Sequence, residues 1–200
     1  MTSRVMLISP AMNPALRQAR FDDGCSLDAA GAARARSAAD GLRPAAEALV
    51  SPTARCRETA AALGLDARAE PALAGLDMGR WRGRTLEEVG AAEPEALARW
   101  LADPAASPHG GESVRLLCAR VGGWLEEAAR SAGRTVAVVE PEVVRAVTVR
   151  VLGAPEAAFW RIDVPPLTAA GFTGRAGRWN LTPATVLGGT SGKPEGVPDR

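Results

Sequence analysis

The sequence predicts a three-layer α/β fold, with helices on both faces of a mostly parallel sheet and a small helical insertion beside it. Three observations carry this expectation. Short apolar strands alternate with helical patterns along the chain, the arrangement that crossover helices and parallel strands produce. Residues 135–139 are a continuous apolar run rich in β-branched side chains, as a strand buried on both faces requires. Ser51-Pro52 follows a short strand at once and opens a helix with a cap and a first-turn proline.

In chain order, residues 4–9 read as the first strand, and residues 10–26 as a proline-containing loop that carries Asn13, Arg17, Arg20 and Phe21. A loop of that length after a strand often carries function. Residues 27–42 are alanine-rich with helical spacing, residues 47–50 form a strand, and the helix opened by Ser51-Pro52 runs to about Leu63. Thr85 and Glu88 make a capping box at the head of a helical region, 85–102, that Pro94 interrupts. The stripe Val114, Leu117, Cys118, Val121, Trp124 and Leu125 marks a helix over 113–129 that packs on a sheet. After the strand at 135–139, Glu140-Pro141 leads into a helix over 143–152 that stops at Gly153. Strand-like pieces follow at 162–164 and 167–172, with an edge strand at 178–181. The expected domain is 1–187, with its insertion at about 85–112, and 188–200 reads as a flexible tail.

Composition narrows the function. The 200 residues are 46% hydrophobic, and 24 Lys+Arg stand against 23 Asp+Glu, a net charge of +1. This leaves no cationic excess for a row of phosphates, so nucleic acid is not an expected partner. No apolar run approaches the ~20 residues of a membrane helix, so a cytoplasmic protein that does not engage membranes is expected. Cys25, Cys56 and Cys118 are odd in number and widely spaced. They form neither a disulfide framework nor a metal motif and read as buried free thiols. His109 is the single histidine. Chemistry here must therefore rest on carboxylates, arginines and hydroxyls, with no metal or cofactor called for.

In a sheet of this kind ligands bind outside the carboxyl ends of the strands. That rule collects Ser9-Pro10, the 51–55 turn and Glu140 into one pocket. Trp81, Trp100, Phe159 and Trp160 either wall that pocket or fill the core, the core being favoured for the last two. His109, in Pro108-His109-Gly110-Gly111-Glu112, is either a rim residue that binds a ligand or a plain exposed loop residue.

Four motifs in order carry a resemblance. Ser51-Pro52-Thr53-Ala54-Arg55-Cys56-Arg57-Glu58-Thr59-Ala60, Leu76-Asp77-Met78-Gly79-Arg80-Trp81-Arg82-Gly83, Gly110-Gly111-Glu112-Ser113, and the stretch from Val136 to Ala146 together resemble the histidine phosphatase superfamily, the phosphoglycerate mutase-like fold, over about residues 4–182. The resemblance implies a nucleophilic histidine within an R-H-G motif ending the first strand, and that motif aligns with Ser9-Pro10-Ala11. Proline has no nucleophilic group. The second family histidine falls on Glu140, and the acidic proton donor on Gly75, with Asp77 the nearest carboxyl. Arg55 is retained.

A carboxylate at position 140 would repel a transferring phosphoryl group. The expectation is therefore a degenerate, catalytically repurposed member doing acid/base chemistry, such as isomerisation, cyclisation, dehydration or hydrolysis, on a small biosynthetic intermediate. Glu140 would be the acid/base and Arg55 the anchor for an anion or oxygen, while Ser9, Asn13, Arg17, Asp77 and His109 contact the substrate. The ligand would be a small carboxylate or carbonyl compound, and the protein a monomer or homodimer. The alternative is a non-catalytic pseudophosphatase that binds an anion or a partner protein, in which Glu140 is simply paired with Arg55.

Overall fold

A computed structural model describes residues 2–175 and 177–188 of the chain. Its centre is a six-stranded sheet in the order β3-β2-β4-β1-β5-β6, built from β1 (Thr2–Ile8), β2 (Glu47–Val50), β3 (Arg68–Ala69), β4 (Gly133–Val138), β5 (Thr168–Arg175) and β6 (Arg178–Val186). The pairs β1–β4, β2–β4 and β2–β3 are parallel; β5 alone runs against its neighbours β1 and β6.

The period of two in β1 and β4 divides the core. Val5, Leu7 and Ala137 point to the face covered by α6 (Val114–Ala128) and α7 (Pro141–Leu152). Ile8, Val136 and Val138 point to the opposite face, where Cys56, Ala60 and Leu63 of the α3 segment (Ala54–Ala62) and Ala38, after α2 (Ala29–Ser37), meet them. Side-chain caps start several helices. Asp28 accepts from the Gly31 amide, Ser113 from the Leu116 amide, and Thr85 with Glu88 forms a reciprocal capping box. Gly153 ends α7 in the left-handed conformation at φ 61°, which L side chains disfavour.

Several elements differ from expectation. The loop at 10–26 holds a one-turn helix, α1 (Pro14–Arg17), because Asn13 caps it and Pro14 starts it. The two-residue β3 is too short to leave a periodic signature. Residues 162–164 form no strand; Pro165 and Pro166 follow and delay pairing until Thr168. The edge strand is longer than expected, reaching Val186 despite Pro183, because the register slips opposite Ala169 to Gly171 and so places that proline in an irregularity of an edge strand. Pro94 separates two helices, α4 (Leu86–Ala92) and α5 (Pro94–Ala102), within the stretch expected as the insertion. The expected tail beyond Gly188 lies outside the described residues. Among the described residues, no helix is long and apolar enough to cross a membrane. Of the three cysteines only Cys56 is fully buried; Cys25 is exposed and Cys118 is half-buried, which corrects the expectation of three buried thiols.

Candidate functional site

Glu140 lies two residues past the end of β4 and occupies the N-cap position of α7 without a capping side-chain bond, where an apolar strand followed by proline turns the chain. Arg55 lies in the first turn of α3. Both are nearly inaccessible, at 1% and 4% exposure, and they meet directly. Arg55 Nε donates to Glu140 Oε1 and Oε2 at 2.9 and 2.8 Å, Arg55 Nη2 also donates to Oε2, and Thr53 Oγ1 donates to Oε1 at 2.7 Å. Burial opposes the guanidinium charge of Arg55, but attraction and hydrogen bonding from Glu140 outweigh it and raise its pKa. Gly75 makes this fit possible, because a Cβ there would lie 2.9 Å from Glu140 Cγ. Both oxygens of Glu140 are therefore committed to protein donors.

A cavity of about 280 Å³ opens beside this pair, at the carboxyl ends of the parallel strands. Arg55 reaches its wall, Glu140 does not, and Arg20, Asp22, Glu142 and Arg145 supply the other charged groups. Phe21, Trp100 and Trp160 form an apolar side. Trp100 packs on Trp160 at 4.4 Å between ring centroids and edge-on to Phe21 at 5.9 Å, so the insertion closes over the loop after β1. Arg145 donates through Nε to the Ile162 carbonyl at 2.8 Å, and its guanidinium carbon lies 5.7 Å from the Trp160 ring centre.

Glu142 is the residue that the sequence did not single out. It sits in the first turn of α7, half-buried, and among the described residues it forms no ion pair. Burial, and then the adjacent negative charge of Glu140, push its carboxyl up, while Arg55 pulls less strongly the other way. An acid in a helix's first turn is also what the helix dipole favours, so the sequence offered no signal that set it apart.

The other expected site residues have different work. Ser9 Oγ donates to the Pro165 carbonyl at 2.6 Å and accepts from the Thr168 amide at 2.9 Å, tying β1 to β5. Asn13 accepts from the Leu16 amide and donates to the Cys25 carbonyl. Arg17 pairs with Asp28 at 2.8 Å on the surface. Asp77 accepts from the Gly79 amide at 3.0 Å and borders a separate open groove. None of these four lines the cavity.

His109 is neither a rim residue nor an exposed one. It is 1% exposed, accepts from the Gly111 amide through Nδ1, and packs 5.1 Å from Trp81 and 6.2 Å from Trp100, behind the cavity wall. Desolvation lowers its pKa. Trp81 and Phe159 are core residues, whereas Trp100 and Trp160 serve both core and cavity.

The doubly covered sheet, with a cavity at its carboxyl edge, defines an α/β fold of the phosphoglycerate mutase-like class. Within that class the chain belongs to the histidine phosphatase superfamily (branch 1), whose pattern matches residues 13–184. That match begins beyond Ser9-Pro10-Ala11. Phosphoserine phosphatase 1 of Hydrogenobacter thermophilus is 37% identical over 106 residues, covering 52% of this chain and 50% of that protein. A bifunctional protein of Mycobacterium tuberculosis is 39% identical over 75 residues, 36% of this chain and 21% of that one. The chain thus aligns with half or less of the length of these relatives. Among solved structures, a mycobacterial glucosyl-3-phosphoglycerate phosphatase superposes with a TM-score of 0.79 at 23% identity, over 90% of this chain and 97% of that one. A phosphoserine phosphatase from Entamoeba histolytica gives 0.81 at 16% identity, over 90% and 95%. At these identities the superpositions speak to the fold alone.

Proposed function

We propose that this chain is a member of the superfamily that has left phosphoryl transfer and performs acid/base chemistry on a small organic anion, with Glu142 rather than Glu140 as the proton-transferring group. The observation that carries the proposal is the division of labour between the two carboxylates. Glu140 is locked by Arg55 and Thr53, whereas Glu142 borders the cavity with no ion pair among the described residues and is pushed toward its protonated form. A carboxyl held up in this way is better placed to donate a proton than one locked as a carboxylate. Arg55 and Arg145 at the cavity wall suit a carboxylate or enolate oxygen, and the aromatic side suits an apolar body. The only histidine of the chain stands behind the wall, so no imidazole faces the cavity to accept a phosphoryl group.

The saturated Arg55–Glu140 pair also favours a second reading, a binding protein without turnover. A thermal-shift screen of carboxylates and carbonyl compounds beside their phosphorylated counterparts separates these readings. Arg145→Ala is the control, since removing Arg55 would strand a buried carboxylate. Non-phosphorylated acids should raise the melting temperature through Arg145, and incubation with those hits should give a product that Glu142→Gln fails to make while still binding. Binding without conversion by the native chain favours the second reading. Stabilisation by phosphorylated compounds, followed by release of inorganic phosphate, overturns the proposal.

A further inference from the structure

At the opposite end of the sheet from this cavity, three arginines gather with no acid among them. Arg4 of β1 and Arg134 of β4 occupy directly paired positions on adjacent parallel strands, so their stems start about 4.8 Å apart, one strand spacing. Arg43, from the loop before β2, faces them across a concavity of about 300 Å³. Its lining also includes Met6, Gly171, Thr173 and Thr182, and no carboxylate. Among the described residues none of the three arginines forms an ion pair. The hydrogen bond recorded for Arg134 runs to the Met6 sulfur at 3.6 Å, a weak acceptor for a half-buried guanidinium.

The other surface grooves are built differently. A groove of about 800 Å³ is lined by Arg130, Arg150 and Arg178, but it holds a carboxylate, Glu126, which pairs with Arg150 at 2.6 Å. Its neighbour contains Arg115, paired with Glu156 at 3.0 Å. Like charges placed directly opposite each other on a sheet are destabilising. The row Arg134, Arg4, Thr173 across β4, β1 and β5 therefore lacks a counter-charge that its geometry calls for.

We propose that this groove is a second, separate binding site for a small polyvalent oxyanion, gripped by Arg4, Arg43 and Arg134 with hydroxyl donors from Thr173 and Thr182. Guanidinium groups match the planar or tetrahedral edges of carboxylates and phosphates, and three of them call for a ligand with at least two negative charges. Met6 supplies an apolar patch on the floor, where an organic part of the ligand can lie.

The test is calorimetric titration of the whole chain with inorganic pyrophosphate and, separately, with citrate, at low and at raised ionic strength. Wild type should bind at least one of them, more weakly in salt. Arg134→Ala and Arg4→Gln should each weaken binding about tenfold or more, whereas the exposed Arg34→Ala should change it less than about twofold, as expected of a charge that does not touch the ligand. Arg4 is exposed, so Arg4→Gln keeps the test decisive if Arg134→Ala loosens packing on Met6; melting curves report that directly. Binding of pyrophosphate alone assigns a phosphorus oxyanion, binding of citrate alone a polycarboxylate, and binding of both a site that counts charge. No binding, binding abolished by Arg145→Ala, or equal losses in Arg34→Ala and Arg4→Gln would each overturn the proposal.

Discussion

Two glutamates, two residues apart at the start of one helix, have different fates because their oxygens meet different neighbours. Glu140 faces inward onto Arg55, and removing one member of a buried ion pair leaves the other charge desolvated and unpaired. Glu140→Ala should therefore lower stability by about 3–5 kcal/mol in urea unfolding, whereas Glu142→Ala should leave it unchanged or raise it slightly. Equal effects would mean that the pair is not the lock described. His109 adds a pH dependence. Its folded pKa is lowered by desolvation below the ordinary 6.5, so the unfolded chain takes up a proton first. The stability it contributes is complete above pH 6.5 and is lost as pH falls from there toward the folded value. Glu142 slopes the opposite way, since its raised pKa makes its contribution present at low pH and lost as pH rises. The comparison of wild type with His109→Phe isolates the histidine: melting temperatures between neutral pH and about pH 5 should converge with or cross those of the variant as the wild type falls more steeply. Parallel curves would show that His109 does not titrate against folding.

At the scale of elements, what the sequence disclosed depended on how local its cause was. The capping box at Thr85 and Glu88 and the stop at Gly153 are set by backbone groups a few residues away, and both stand where the pattern placed them; the helix after Ser51-Pro52 instead starts at Ala54 behind Thr53, so Pro52 precedes its first turn and the buried Ser51 hydroxyl makes no capping bond. The β4 strand was legible because burial on both faces leaves an unbroken apolar run. The two-residue β3 and the one-turn α1 were not, since neither is long enough to show a period. The same holds for the site. Arg55 and Glu140 could be paired in advance because motif order and the strand-end rule both pointed there. Ser9 and Asn13 looked equally available as polar loop residues, yet backbone amides and carbonyls claim them. Glu142 was concealed for the converse reason: only the cavity beside it distinguishes it from an ordinary first-turn acid, and that cavity is assembled from segments as far apart in the chain as Leu16 and Val164.

Across the whole molecule, the cavity wall depends on one backbone crossing. The segments 77–80 and 109–112 pass so closely that a Cβ on Gly111 would lie 2.1 Å from the Asp77 carbonyl oxygen and 2.7 Å from the Gly79 amide nitrogen. Two hydrogen bonds fasten the crossing, from the Glu112 amide to the Asp77 carbonyl at 2.9 Å and from the Arg80 amide to the His109 carbonyl at 3.0 Å. On one side of it stands Trp81, and through Trp81 the insertion's Trp100, with ring centroids 5.7 Å apart. Gly111→Ala must push backbone from backbone, with no flexible side chain to give way, so it should cost about 3 kcal/mol, the upper range for overpacking. The loss should also reach the cavity, because Trp100 is held in place through this junction. Gly123→Ala supplies the contrast: that glycine lies exposed within α6, with open space where its Cβ would go. The substitution should stabilise by about 0.5–1 kcal/mol through helix propensity alone. Urea unfolding of the two variants, with hydrogen exchange followed over residues 81–100, measures both effects. If Gly111→Ala unfolds like wild type, or loses stability without faster exchange in the insertion, the crossing does not hold the cap over the cavity.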